Sequence, residues 1–357
     1  TDGETPAALG NRIAATILAA TLDDGSNEGG GYADPTYEPV NPPLVVAEPG
    51  TTMVDPNRWQ PLELEARVAQ NGLPVEDPVQ SFLGPHWGGV TTFALAPADA
   101  DRPLLDPGPP PLLGDPATDE AFKTAIVEVL EYSSVLDPTA EAMVDIGPAT
   151  TGNALLGTYD DAGHDRNPVA GEPYQPNPVR LGDYGRVVAE FWADGPSSET
   201  PPGHWNTLAN SVTDGLGPDR RIGGEGPVVD ALEWDVKLYL ALNGAVHDAA
   251  VAGWGAKGFY DYARPISMIR HMGGLGQSSD PDGPSYHPDG LPLVEGLVEV
   301  VTAESSAPGE RHDVLADHVD EIAVRSWRGA PDEAETGTGG VGWISAVDGV
   351  PYQLPTF

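Results

Sequence analysis

The stretch from about residue 226 to 263 is the longest run of apolar and small residues in the chain, and any fold must be built around it. Val228, Leu232, Val236, Tyr239, Leu240 and Leu242 continue into Val246, Ala249, Ala250 and Trp254 at helical spacing, which predicts one long helix. Gly244, Ala245, Ala249, Ala250, Ala252 and Gly253 carry so little bulk that a neighbouring helix can approach closely, as at the centre of a bundle. Lys257 and Arg264 stand at the end of the run, followed by Pro265. A separation of seven residues is nearly two turns, so both cations are expected on one helical face about 10 Å apart. Pro265 pushes Arg264 out of helical geometry and marks the helix end. A planar guanidinium beside a compact ammonium suits a tetrahedral oxyanion better than a planar carboxylate. The plainer alternative is a pair of snorkelling cations. Against it, the whole chain has three lysines, Lys123, Lys237 and Lys257, and one of them stands in this pair.

Shorter helices are expected elsewhere. Ala8 to Leu22 mixes small and apolar residues and ends at Asp23-Asp24-Gly25. A helix starting near Thr118-Asp119-Glu120 has acidic residues at its positive end and Phe122, Ile126, Val129 and Leu130 on one face. Asp183 to Ala193 places Val187, Val188, Phe191 and Trp192 inward, Gly203 to Val212 forms another helix, and a last pair covers about 291–303 and 311–327. Residues 23–116 are rich in Gly, Pro, Asp and Asn and read as turn-laden wrapping, pinned by Trp59, Phe82, Trp87 and Phe93. Pro107-Gly108-Pro109-Pro110-Pro111 is a rigid connector. The expected architecture is all-α, a helical bundle with long irregular loops, divided into a wrapping region over residues 1–116 and a helical domain over 117–357.

Charge and composition exclude several partners. Fifty-five acidic against 17 basic residues give a net charge of −38, which repels nucleic acid and anionic membranes. Such self-repulsion is best tolerated in salt, and with the scarcity of lysine it points to a marine or halophilic setting. Cysteine is absent, so no disulfide forms, which suits an exported protein and equally a reducing cytosol. No apolar run is long enough to span a bilayer. Thr1 is not a methionine, and export with signal removal, to a secreted or periplasmic location, is the expectation drawn from it.

Competing chemistries lack motifs. The eight histidines are scattered, no His-Glu-x-x-His occurs, and His312 and His318 are not at zinc spacing. Gly-x-Ser-x-Gly and phosphate-loop patterns are missing too. His247, beside Asp248 and about 80° around the helix from the cation face, reads as a buried, hydrogen-bonded structural histidine. The acidic segments Asp280-Pro281-Asp282-Gly283 and Pro288-Asp289-Gly290, and the loop with Asp23, Asp24, Asn27, Glu28 and Asp34, lack the twelve-residue EF-hand register. They favour turn chemistry and leave calcium only a weak reading.

Lys257-x6-Arg264-Pro265 resembles the first signature block of the vanadium-dependent haloperoxidases and the related acid phosphatases of the type 2 phosphatidic acid phosphatase superfamily. Asn243 to Lys257, Arg264 to Arg270, Asp55 to Leu62, Pro85-His86-Trp87-Gly88, Glu190 to Gly195 and Thr200 to Trp205 are similar to the long bacterial haloperoxidase-like proteins, so the resemblance spans nearly the whole chain. The resemblance implies vanadate as cofactor and hydrogen peroxide and halide as substrates. It assigns Lys257 and Arg264 to the vanadate oxygens, and Trp254 to an aromatic position that shapes the halide pocket in some members. The family's Pro-Ser-Gly-His and Ser-Arg-x5-His blocks do not occur. Pro202-Gly203-His204 precedes the lysine block, and Pro284-Ser285-Tyr286-His287 has tyrosine where the family has glycine, so neither His204 nor His287 takes the axial-ligand role. That histidine is expected beyond Phe357, on a downstream fragment or second chain. A homo-oligomer is also common in the family. The rivals are an acid phosphatase of the same superfamily and a non-catalytic secreted or surface protein that keeps the fold.

Overall fold

The computed structural model describes residues 3–34, 36–69, 72–96, 102–137, 140–152, 162–167, 170–192, 199–224, 226–328 and 340–349. Six α-helices lie among them: α1 (Pro6–Thr21), α2 (Asp119–Ser134), α3 (Leu181–Trp192), α4 (Pro201–Gly215), α5 (Ala231–Tyr260) and α6 (Pro265–Leu275). Local chemistry sets several of their starts. Thr5 accepts a hydrogen bond from the Ala8 amide ahead of Pro6, and Asp230 accepts one from the Glu233 amide at 2.8 Å, each satisfying an amide that has no partner within its helix.

The fold is not all-α. Among the described residues nine short strands form four small sheets: β1 (Leu44–Val45) with β2 (Leu62–Glu63), β3 (Arg67–Val68) with β4 (Pro74–Val75), β5 (Met143–Asp145) with β6 (Pro178–Arg180), and a three-stranded sheet. The last comprises β7 (Val298–Val300), β8 (Ile322–Trp327) and β9 (Val341–Ser345), antiparallel in that order. It stands where helices over 291–303 and 311–327 were expected. Val298, Val300, Ile322 and Val324 are β-branched, and β8 is buried at every position except Arg325, so its apolar run has no helical period to show.

This sheet carries the main core. Phe122, Ile126 and Leu130 of α2 and Met268, Ile269 and Met272 of α6 pack with Val298, Ile322 and Val324. The α2 face therefore matches its sequence pattern, with a sheet rather than a bundle beneath it. Arg270 of α6 is buried, and its guanidinium donates to the carbonyls of Val46 (2.9 Å), Glu48 (2.6 Å) and Gly349 (3.0 Å). The N-terminal wrapping region is thereby tied to the far end of the described chain.

The long helix is shorter than expected and packs differently. Its small residues receive a loop: a Cβ on Gly255 would stand 2.9 Å from Gly88 Cα, and one on Gly258 would stand 2.2 Å from the Pro85 carbonyl oxygen. Its N-terminal half touches α4 through polar contacts, with Trp234 Nε1 donating to Thr213 (3.2 Å) and Asn206 to Asn243 (2.9 Å). Leu232, Val236 and Leu240, expected in a core, are exposed, as is Val187 on α3. The side chains of Phe191 and Trp192, and residues 193–195, fall outside the described residues.

Candidate oxyanion site

Lys257 and Arg264 do not share a helical face. The long helix ends at Tyr260, Lys257 lies in its last turn, and Arg264 is the extended N-cap of α6, with Pro265 opening that helix. The join is made at Asp261, which takes a left-handed conformation (φ 43°, ψ 52°) and donates its amide to the Lys257 carbonyl at 2.8 Å. Its carboxylate is buried and receives Tyr37 Oη (2.7 Å), Arg58 Nε (2.8 Å) and Arg58 Nη2 (2.6 Å). The Trp59 amide donates to the Asp261 carbonyl at 2.8 Å. The wrapping region thus fixes the turn that brings the two cations to one cavity.

That cavity has a volume of about 480 Å³, within the usual size of small-molecule sites. Lys257, Arg264 and Arg67 reach it, with Gln80, and Trp59, Phe82, Trp254 and Tyr262 form its aromatic wall. Lys257 Nζ sits 4.4 Å from the Trp254 ring centroid and the Arg264 guanidinium 5.2 Å from that of Trp59. Arg264 Nη1 donates to Gln80 Oε1 at 2.6 Å. Burial, and secondarily the charge of Arg264, holds the Lys257 ammonium below the ordinary lysine pKa, although the residue opens to solvent. Burial also lowers Arg264 and pushes the Tyr262 phenol up to about 12. Among the described residues no carboxylate forms an ion pair with Lys257, Arg264 or Arg67.

Two further features shape the surroundings. Gly84, at φ +59°, lies against Trp254 and Trp87, where an added Cβ would meet the Trp254 ring at 2.9 Å. Asp248, buried on α5, accepts the amides of Phe93 (2.7 Å), Ala94 (2.8 Å) and Leu95 (3.0 Å). Its burial raises the carboxyl pKa, but those three donors outweigh it and leave the group below its ordinary value. His247 is half-buried beside it and contacts the Thr91 carbonyl (3.0 Å) and the Phe93 ring. A larger apolar cavity of about 1140 Å³ adjoins through Ser81, Phe82, Leu83 and Trp254.

Of the residues picked out by sequence, Trp254, Lys257 and Arg264 meet in one cavity. Of the similar segments 55–62 and 85–88, the first lines the cavity with Trp59 and braces Asp261 with Arg58, and the second packs Pro85 against Gly258 of α5. His204 and His287 do not line it. His204 is buried with Glu199 at 3.7 Å, and His287 accepts the Asp289 amide at 3.1 Å. Among the described residues no group of three acidic, histidine or cysteine side chains is arranged to hold a metal ion. Asp24 and Asp34 each accept an amide two residues ahead, and Gln277 organises the 280–284 turn. Asp261, Arg58, Gln80 and Arg67 were missed. A scarce Arg-Trp pair inside segment 55–62 was the one available signal among them.

Three cations and a glutamine thus line one cavity with aromatic rings, and among the described residues no carboxylate pairs with those cations. Residues 237–353 match the family model described as VCPO second helical-bundle domain, which supports the haloperoxidase superfamily. The fold is similar to a crystal structure of an apo-type bacterial vanadium-dependent chloroperoxidase, with TM-score 0.50 and 17% identity over 98% of this chain and 52% of that one. The holo-type bacterial enzyme aligns with TM-score 0.42 and 18% identity over 76% of this chain and 46% of that one. The chain therefore spans about half the length of the solved proteins it resembles. No curated protein matches it.

Proposed function

We propose that this chain forms part of a vanadium-dependent haloperoxidase that oxidises halide with hydrogen peroxide. The observation that carries the reading is the meeting of Lys257 and Arg264 in one aromatic cavity without a carboxylate, inside a chain with three acidic residues for every basic one. The donor set fits vanadate, a tetrahedral oxyanion. Lys257 and Arg264 would hold it, and once bound it would supply a Lewis-acid centre for the activation of peroxide.

The chain's own residues prepare that chemistry. Arg264 stays protonated and neutralises oxyanion charge, oriented by Gln80. Lys257, with its lowered pKa, places a positive charge where electron density must be drawn off, and preorganised charge of this kind costs no reorganisation during reaction. Trp254 and Trp59 each lay a ring against one of the two cations, which helps hold them in place beside the cavity. We place the family's histidine-bearing blocks on the remainder of the protein, in keeping with the chain spanning 52% of the chloroperoxidase. The setting proposed is extracellular or periplasmic and salt-rich, on the strength of the −38 charge.

The test is bromide-dependent peroxide consumption by the complete protein with and without orthovanadate, alongside hydrolysis of an aryl phosphate. Vanadate-dependent bromination that disappears in Lys257→Met and Arg264→Gln supports the reading. Phosphate ester hydrolysis in place of halogenation reassigns the site to the phosphatases, and retention of activity in both variants removes it from the reaction.

A further inference from the structure

We propose that Arg67, carried by the N-terminal wrapping region, is a third cation that this chain contributes to the oxyanion pocket and strengthens its hold on the bound anion. The proposal rests on the oxyanion reading of Lys257 and Arg264. Arg67 lies on β3, nearly two hundred residues before those two in sequence, and lines the same 480 Å³ cavity. Its Nη1 donates to the carbonyls of Asp77 and Val79, both at 2.7 Å, which fixes the guanidinium by one nitrogen. The next residue along that short run is Gln80, whose side chain holds Arg264.

Both arginines are therefore moored to one four-residue rail. The rail is itself anchored: the Leu64 amide donates to the Pro78 carbonyl at 3.0 Å and the Gln80 amide to the Leu62 carbonyl at 2.9 Å. Asp77 turns its carboxylate back on the Val79 amide (2.9 Å), and among the described residues Arg67 has no carboxylate ion pair. Gathering two guanidiniums and an ammonium around one cavity is repulsive. Fifty-five acidic side chains were available to relieve that repulsion, yet the three cations face a cavity walled by aromatic rings. An incoming polyanion relieves it directly. Arg67 adds one more unit of positive charge to the attraction for such an anion.

The experiment is calorimetric titration of the complete protein with orthovanadate and with inorganic phosphate, at several salt concentrations. Arg67→Gln is expected to weaken both anions about tenfold and to make binding less sensitive to salt, as loss of one charge requires. Arg67→Lys keeps the charge and is expected to stay within about threefold of the parent. Unchanged affinity and salt dependence in Arg67→Gln overturns the proposal, as does equal loss in both variants with a lowered melting temperature, which would make Arg67 a hairpin support only. If the parent protein binds neither anion, the oxyanion reading itself fails. If it binds them and only Lys257→Met abolishes binding, the reading stands and Arg67 is removed from it.

Discussion

Asp261 does two things that seldom fall to one residue. Its backbone occupies the left-handed region that lets α5 stop and α6 start, and its buried carboxylate gathers Tyr37 and Arg58. Asparagine tolerates the same backbone, while a β-branched residue does not. Asp261→Val is therefore expected to cost about 3 kcal/mol or more through strain and an unpaired Tyr37 and Arg58, with Asp261→Asn much milder. Urea denaturation of the two variants checks this, and equal losses would refute it. Lys257 gives a pH prediction. Its pKa lies below that of an ordinary lysine, so the ammonium loses its proton at lower pH, and anion binding should fade on the alkaline side before free lysine titrates. A fade that tracks ordinary lysine would show the burial to be without effect on binding. Lys257 and Arg264 were marked in the sequence by the Lys-x6-Arg-Pro resemblance and the scarcity of lysine, while the single helical face that their spacing predicted is absent. The reason they meet was not legible, since a left-handed Asp261 is set by contacts with Tyr37, Arg58 and Trp59 some two hundred residues away. Arg67 had no sequence mark at all.

At the scale of elements, α5 is held at its functional end by loop 84–95 rather than by another helix. Gly258→Ala would drive a methyl into the Pro85 carbonyl, and backbone cannot give way as a side chain can. The variant is expected to lose about 1–3 kcal/mol and to weaken oxyanion binding as the loop carrying Phe82 and Leu83 lifts from the cavity. Thermal melts with anion titration read both effects, and unchanged binding would separate the loop from the site. Small residues in α5 were visible in sequence, but smallness says only that something comes close. Helices α1, α2 and α4 were legible from their runs of small and apolar residues, and α2 also from its acidic opening residues and its apolar face. The sheet β7–β9 was not, because a strand buried on both faces reads as a plain apolar run.

For the whole molecule, a net charge of −38 on one chain makes the compact state repel itself. Raising salt from about 0.1 to 1 M shortens the screening length from about 10 to 3 Å, so the melting temperature should climb by several degrees. Differential scanning fluorimetry in potassium chloride tests this, and a flat profile would argue that the acidic surface carries no such strain. Leu232, Val236 and Leu240 on α5 and Leu208 and Val212 on α4 present apolar surface to solvent, and among the described residues no helix is long and apolar enough to cross a membrane.

Arg270 sets a limit on how such a protein can be rearranged. One guanidinium holds carbonyls at 46, 48 and 349, so sequence-distant stretches share a single knot. Trimming or exchanging the stretch around residues 46–48 by itself would take two of those acceptors away and strand a buried charge, so an engineer who changes one side of the knot must rebuild the other.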